Sequence, residues 1–268
     1  MGRHLLRLLH PVFLLKMVRT NAPGLYGWDI LLRGTVGSGP IIGRRLASVI
    51  RACADAGHEI GLHAWDHHAW QTRVSRMTGP EIKSILQQGV DLLTDILGRP
   101  PACSASPAWR CSDAVLLEKL AFPFAFNSDC RGDRLFRPVV AGRELSQPQI
   151  PTTLPTYDEV VGRHGISAAN FNQYLLRQVK PGQLNVLTIH AESEGIGCRE
   201  QFDQFLSQAR AQDLTFVPLG ALLPAQGHPL PSAAITAGRV AGREGWISCQ
   251  APPGRSPTSR APVPGDLP

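Results

Sequence analysis

The chain has 268 residues, 43% of them hydrophobic and 18% charged, with a mean hydropathy of −0.07. This composition is typical of a globular protein with one sizeable core, and no run of about 18 uncharged apolar residues predicts a membrane-spanning helix. The net charge of +6 suits either an anionic partner or simple solubility, and the basic residues are too dispersed to predict nucleic-acid binding.

The first predicted element is a basic, amphipathic segment at the N-terminus. Apolar side chains from Leu5 to Leu15 alternate with basic ones such as Arg3 and Arg7. Such a segment suits the interface of a bilayer that carries anionic lipid. A pair of core helices bent at Pro11 fits the pattern equally well.

Helices and short extended segments alternate after residue 40. The segment 41–57 predicts a helix ending at Gly57, and 78–98 predicts a second helix with a capping box between Thr78 and Glu81. Further helices are expected after Ser112 and over 201–213, and the strand-like segments are HEIGLH, ACSAS, FPFAFNSD and NVLTIHAE. The last of these is apolar enough for burial on both faces. This alternation predicts an α/β fold with a mostly parallel sheet or barrel.

The C-terminal residues 251–268 contain six prolines and no aromatic residue, which predicts a disordered tail outside a domain spanning 1–250. The six cysteines form no CxxC pair, so we expect reduced thiols and neither a nucleophile nor a ligand among them: Cys53, Cys103, Cys111, Cys130, Cys198 and Cys249.

Histidines concentrate in GLHAWDHHAW, residues 61–70. His63 and His67 are four residues apart, a spacing that allows two imidazoles to converge on a divalent ion. Ala64 stands where the HExxH metalloprotease motif requires glutamate. Structural histidines are the alternative, and Asp66 and His68 are candidates to orient the ligands.

Three candidate residues end predicted strands, where α/β folds place their chemistry. His63 lies at the end of the first strand, Asp129 at the end of the third and His190 at the end of the last. His190 is a candidate general acid, or a hydrogen-bonded core histidine. Asp129 is a candidate partner for such a histidine, or a turn cap. Arg110 is a candidate to orient a carboxylate, or a surface residue.

The order of these motifs resembles the polysaccharide deacetylase superfamily. Longer segments narrow the resemblance to one family, the deformylases of the aminoarabinose pathway that act on 4-deoxy-4-formamido-L-arabinose-phosphoundecaprenol. These segments are MGRHL, LYGWDILL, GLHAWDHHAWQ, NSDCRG, FRP, QIPTTLPTYDEV, TIHAE and AGREGW. The resemblance covers Met1 to about Gln250 and implies a distorted (β/α) barrel.

The resemblance implies a metal-dependent amide hydrolase that releases formate from the formamido sugar. His63 and His67 match the metal-binding histidines, and the ion would be zinc, cobalt or manganese. His190 matches the general acid and Asp129 the acidic residue that tunes it. Arg110 stands close to the arginine motif that positions the base, although PAWRCSD replaces the usual Arg-x-Pro-aromatic pattern.

The resemblance also implies the substrate and its location. The sugar is linked to undecaprenyl phosphate, so we expect the enzyme at the membrane surface, on the cytoplasmic face of a bacterial inner membrane. The pathway supplies aminoarabinose for lipid A modification and polymyxin resistance. Three tryptophans are candidates to stack on the sugar, with core packing as the alternative: Trp65, Trp70 and Trp109.

The family's first motif is an aspartate pair that supplies the general base and a third metal ligand, and it is expected upstream of MGRHL. Because the sequence begins with MGRHL, we expect the barrel to be incomplete at its N-terminal strands. A start assigned at an internal methionine is the preferred interpretation. Two alternatives for function are a catalytically impaired fragment that binds lipid-linked sugar or membrane, and a deacetylase for another amide-bearing sugar.

Overall fold

The computed structural model describes residues 41–225, 228–243 and 245–252. The chain divides into two compact units. Within the described residues, the larger comprises Ile42–Thr153 and the chain from Val217 onward, and the smaller comprises Ile41 and Leu154–Phe216. The amphipathic N-terminal segment and most of the proline-rich tail lie outside the described residues.

Five α-helices of the larger unit precede or flank its first strands. Their bounds are α1 Ile42–Arg45, α2 Ala47–Asp55, α3 His67–Arg73, α4 Gly79–Leu97 and α5 Asp113–Lys119. The single helix expected over 41–57 is thus interrupted at Leu46, and the turn after α2 ends at Gly57, whose φ is +86°.

Helix α4 forms as its sequence predicts. The Thr78 and Glu81 side chains make the reciprocal capping box, and Gly98 ends the helix in the left-handed conformation with φ of 71°. Helix α5 also begins as expected, because the Ser112 hydroxyl accepts a hydrogen bond from the Val115 backbone N–H.

The strands of the larger unit are short. They are β1 Cys103–Ser104, β2 Phe126–Asn127, β3 Arg137–Val140, β4 Arg143–Glu144, β5 Ser232–Ala233, β6 Ile235–Gly238 and β7 Ile247–Gln250. Strands β1 and β2 pair in parallel, β3 lies between β4 and β5, and β6 pairs antiparallel with β7. The expected alternation of helices with a parallel strand pair is therefore present.

A parallel bridge extends the β1–β2 pair on its other side. Leu62 donates its backbone N–H to the Cys103 carbonyl at 2.9 Å and accepts the Ala105 N–H at 2.9 Å. The core cluster of the unit includes Leu62, Trp70, Ile82, Leu86 and Val115. His63 is exposed and directly follows the buried residue Leu62.

In its described part, the smaller unit has three helices, α6 Tyr157–Val160, α7 Phe171–Gln178 and α8 Arg199–Arg210, and a π-helical turn at Ser193–Gly197. Its apolar cluster includes Leu154, Tyr157, Phe171, Leu175 and Phe205. Helix α8 confirms the helix expected over 201–213.

Among the described residues of the smaller unit, 185–190 carry no helix or strand, so the strand expected at NVLTIHAE is not found there. The Val186 carbonyl accepts the Leu154 N–H at 3.0 Å, but no ladder is assigned there. Burial on both faces was also wrong, because Val186 is 5% exposed whereas Ile189 is 45% exposed.

All six cysteines are free thiols, as expected. Within the described ranges, no helix is both long and apolar enough to cross a membrane.

Candidate active site

The two candidate metal ligands, His63 and His67, come from different elements of the larger unit. His63 follows the bridged residue Leu62, and His67 is the first residue of α3. Asp66 is the N-cap of that helix, since its carboxylate accepts the Ala69 N–H at 2.8 Å. Ala64 has a φ of 136°, which is strained for a residue with a side chain. This turn redirects the chain so that both imidazoles face each other.

The imidazoles of His63 and His67 lie close enough to share an ion. Their ring centroids are 5.2 Å apart, the planes are tilted by 47°, and both residues are exposed. Two imidazoles bound to one tetrahedral ion at about 2.1 Å would place their centroids roughly 5 Å apart. His63 Nδ1 is 3.0 Å from the Ala105 carbonyl, which can only accept, so Nδ1 donates this hydrogen bond and Nε2 is the nitrogen that could coordinate an ion.

The donor set therefore fits two positions of a tetrahedral divalent ion. Among the described residues, no cluster of three or more His, Cys, Asp and Glu side chains could hold a metal. The described residues therefore offer these two histidines without a third clustered ligand, and the aspartate implied by the resemblance stays a prediction.

Arg110 lies in the larger unit after the 3₁₀ turn Pro107–Trp109. Its Nη1 donates to the Gln71 carbonyl at 2.5 Å, and its guanidinium carbon lies 5.5 Å from the Trp246 ring centroid. Ala108 and Trp109 both have left-handed φ values, 52° and 51°. Consecutive non-glycine residues in this conformation store strain, which is common near functional sites. The role of Arg110 in orienting a base stays a prediction.

Asp129 follows β2 and is fully buried. Its Oδ1 accepts from Ser106 Oγ at 2.8 Å and from Lys119 Nζ at 2.5 Å, and its Oδ2 accepts from Gln149 Nε2 at 2.9 Å. Both carboxylate oxygens are thus held within the larger unit. The expected interaction of Asp129 with His190 stays a prediction.

Lys119 is a residue that the sequence reasoning missed. It is 1% exposed and ends α5. Its spacing from Val115 and Leu116, which are also buried, was the available signal, because residues three and four apart share a helix face. A lysine on that face is buried only when it has a partner, here Asp129.

The three tryptophans differ in exposure. Trp70 is 1% exposed and donates its indole N–H to the Arg110 carbonyl at 2.9 Å. Trp109 is 5% exposed and donates to Thr152 Oγ1 at 3.0 Å. These contacts match the core-packing alternative, because an enclosed ring offers no face to a sugar. Trp65 is 37% exposed and remains the candidate for stacking.

His190 belongs to the smaller unit, where Glu194 holds its backbone. The Glu194 carboxylate accepts the His190 N–H at 2.8 Å, and the His190 carbonyl accepts the Glu194 N–H at 2.9 Å. Burial raises the pKa of Glu194 above its ordinary value of 4.5, against the lowering effect of the hydrogen bond from His190. This reciprocal pair fixes the turn that carries the imidazole.

Comparisons with known proteins place this chain among deformylases. It is 50% identical over 251 residues to a probable 4-deoxy-4-formamido-L-arabinose-phosphoundecaprenol deformylase ArnD of Shewanella sediminis (strain HAW-EB3), covering 94% of this chain and 81% of that protein. A protein of the same name from Wigglesworthia glossinidia brevipalpis is 40% identical, covering 93% and 87% of the two chains.

The fold comparison agrees with the sequence comparison. Residues 33–124 match the polysaccharide deacetylase family. A crystal structure of a probable polysaccharide deacetylase from Pseudomonas aeruginosa PAO1 superposes with a TM-score of 0.52 and 20% identity. The match covers 67% of this chain and 62% of that structure's chain. The α/β deacetylase fold is therefore confirmed, and this chain belongs to the 4-deoxy-4-formamido-L-arabinose-phosphoundecaprenol deformylase family.

Proposed function

We propose that this protein is a metal-dependent amide hydrolase that removes formate from 4-deoxy-4-formamido-L-arabinose-phosphoundecaprenol. The observation that carries the proposal is the convergence of His63 and His67, at 5.2 Å between ring centroids, in a chain 50% identical to a protein named for that activity. The family is generally metal-dependent, and zinc, cobalt and manganese are the candidate ions.

The reaction adds water across the formyl C–N bond. Water's oxygen bonds to the formyl carbon, the C–N bond breaks, and the sugar amine takes a proton while formate leaves. A divalent ion would supply Lewis acidity to the formyl carbonyl and to the attacking water. His63 and His67 would hold it, with the His63 Nδ1–H fixed on the Ala105 carbonyl at 3.0 Å.

Proton transfer to the amine is assigned to His190. An imidazole suits this role because its ordinary pKa lies close to neutral pH. The Glu194 carboxylate, bound to the His190 N–H at 2.8 Å, would keep the backbone of that turn in place. Asp129 and Arg110 are proposed to position residues of the site, and Trp65 to contact the sugar.

The proposed location is the cytoplasmic face of the bacterial inner membrane, where a substrate linked to undecaprenyl phosphate presents its sugar. The net charge of +6 favours approach to an anionic surface. The product amine would serve lipid A modification by aminoarabinose, and hence resistance to polymyxin.

Formate release tests this function. The purified chain, supplied in turn with zinc, cobalt and manganese, is incubated with the formamido sugar lipid and, as a control, with its acetamido analogue. We expect formate and free amine in equal amounts from the first substrate. Acetate release without formate would favour the alternative deacetylase. No release of either acid by a folded, metal-loaded chain would refute the proposed activity.

Substitution of His190 separates binding from turnover. His190→Ala should retain metal, because His190 is not a proposed ligand, and lower kcat by about 10²–10⁴-fold through loss of general acid catalysis. His190→Ala with parental kcat on the formamido substrate would remove His190 from the mechanism.

A further inference from the structure

The most unusual buried feature of the larger unit is the ion pair between Lys119 and Asp129. Lys119 Nζ and Asp129 Oδ1 are 2.5 Å apart, and the two side chains are 2% and 0% exposed. Desolvating two charges offsets much of their mutual attraction, so such a pair is weak evidence for a purely stabilising role. The other hydrogen bonds of Lys119 and Asp129 therefore indicate which neighbouring side chains the ion pair positions.

The pair holds Ser106. Ser106 Oγ donates to Asp129 Oδ1 at 2.8 Å and accepts from Lys119 Nζ at 3.4 Å. Gln149 secures the other side of Asp129, donating from Nε2 to Oδ2 and accepting the Asp129 backbone N–H, each at 2.9 Å. Both oxygens of the carboxylate thus accept hydrogen bonds, and the carboxylate holds the Ser106 hydroxyl in turn.

Ser106 directly follows Ala105, whose carbonyl accepts the Nδ1–H of His63 at 3.0 Å. Ala105 also donates its backbone N–H to the Leu62 carbonyl at 2.9 Å. The segment Ala105–Ser106 therefore lies between the proposed metal ligand and the buried ion pair. A contact on Nδ1 decides which imidazole nitrogen carries the proton, and leaves Nε2 as the ligand.

We propose that Lys119 is a positioning residue of the metal site. Through Asp129 and Ser106 it holds the Ala105 carbonyl where that carbonyl accepts the His63 proton, which selects the Nδ1–H form and points Nε2 at the ion. The inference rests on the proposed role of His63 as a ligand. The proposal adds Lys119 to the metal site as a residue that would not contact the ion itself.

The test measures which nitrogen of the His63 imidazole carries the proton, in the absence of metal and substrate. Long-range ¹H–¹⁵N correlation spectra, recorded where imidazole is neutral, distinguish the Nδ1–H from the Nε2–H form. We expect the Nδ1–H form in the parent chain and a mixture of both forms in Lys119→Met. Zinc or cobalt affinity should fall by about 10–100-fold, as for other residues that orient a metal-bound histidine.

Control variants separate positioning from general damage. Lys83→Met replaces an exposed lysine of α4 and should leave both readouts at parental values. Lys119→Arg keeps the positive charge and should restore most of the Nδ1–H population. A folded Lys119→Met with the parental spectrum and affinity would overturn the proposal.

Ser106→Ala keeps the proposal testable if Lys119→Met does not fold. It removes one hydroxyl, leaves the ion pair in place and should shift the His63 spectrum in the same direction. A folded Ser106→Ala with an unchanged spectrum and affinity would also overturn the proposal. Failure of the deformylase assay, with the spectral shifts present, would refute the proposed function and leave the positioning role standing.

Discussion

Gly61 lets the chain before His63 lie against β1, and replacing it tests that packing. A Cβ at Gly61 would lie 2.7 Å from Cys103 Sγ and 3.0 Å from the Cys103 carbonyl oxygen. Carbon atoms in ordinary contact are about 3.5–4.0 Å apart. One of these obstacles is backbone, so Gly61→Ala would push residues 61–63 away from β1 and strain the hydrogen bond from Leu62 to Cys103.

Two opposing effects set the magnitude for Gly61→Ala. Overpacking costs about 1–3 kcal/mol, and the lower entropy of the unfolded alanine chain returns about 0.4–1 kcal/mol. We expect a net loss of up to about 2.6 kcal/mol in the free energy of unfolding, and a stability about 1–3 kcal/mol below that of a variant that gains the same entropy without overpacking. For a chain of this size each kcal/mol lowers the melting temperature by roughly 2–4 °C.

Urea unfolding of Gly61→Ala, followed by circular dichroism, measures this loss. Gly195→Ala is the matched control, because a Cβ there meets no atom within 4 Å. The control should be as stable as the parent or slightly more stable. If Gly61→Ala were as stable as Gly195→Ala, the close approach of residue 61 to β1 would be refuted.

Two further predictions concern the tryptophans and Glu194. Trp70→Phe should lower the free energy of unfolding by about 1–3 kcal/mol, because it removes the hydrogen bond to Arg110 and leaves space in the core. Trp65→Phe should change it by less than about 0.5 kcal/mol, and equal losses in the two variants would contradict the difference in burial. The raised pKa of Glu194 means that its contribution is complete below the ordinary value of 4.5 and is lost as pH rises through the raised value. Glu194→Gln should therefore gain stability over the parent as pH increases across that window, measured by urea unfolding, and a pH-independent difference would show that burial does not raise this pKa.

The sequence predicts a helix well where its ends depend on residues that are neighbours in the chain. Helix α4 has its capping box at Thr78 and Glu81 and its terminal glycine at Gly98, and each acts within one turn of the chain. The HxxxH spacing placed His63 and His67 close together in sequence. It did not show that they lie on separate elements joined by a strained residue, Ala64.

Features that depend on distant partners could not be predicted in this way. A lysine is normally exposed, so the burial of Lys119 follows only once α5 and β2 bring it to Asp129. The apolar run over 185–192 predicts a strand, whereas none is found there among the described residues, because strand pairing is a tertiary property that an apolar run alone does not determine. The exposure of Trp65 and the burial of Trp70 likewise depend on how α3 packs, which composition does not reveal.

Equilibrium metal binding tests the central claim most directly. Zinc or cobalt is titrated calorimetrically into the parent chain and into His63→Ala, His67→Ala and His68→Ala, where His68 is the adjacent histidine on α3. We predict that the first two variants lose more than about tenfold in affinity, since loss of a residue that merely orients a ligand already costs about 10–100-fold. His68→Ala should stay closer to the parent than either. Equal affinity in the parent, His63→Ala and His67→Ala would contradict the assignment of these imidazoles as the metal ligands.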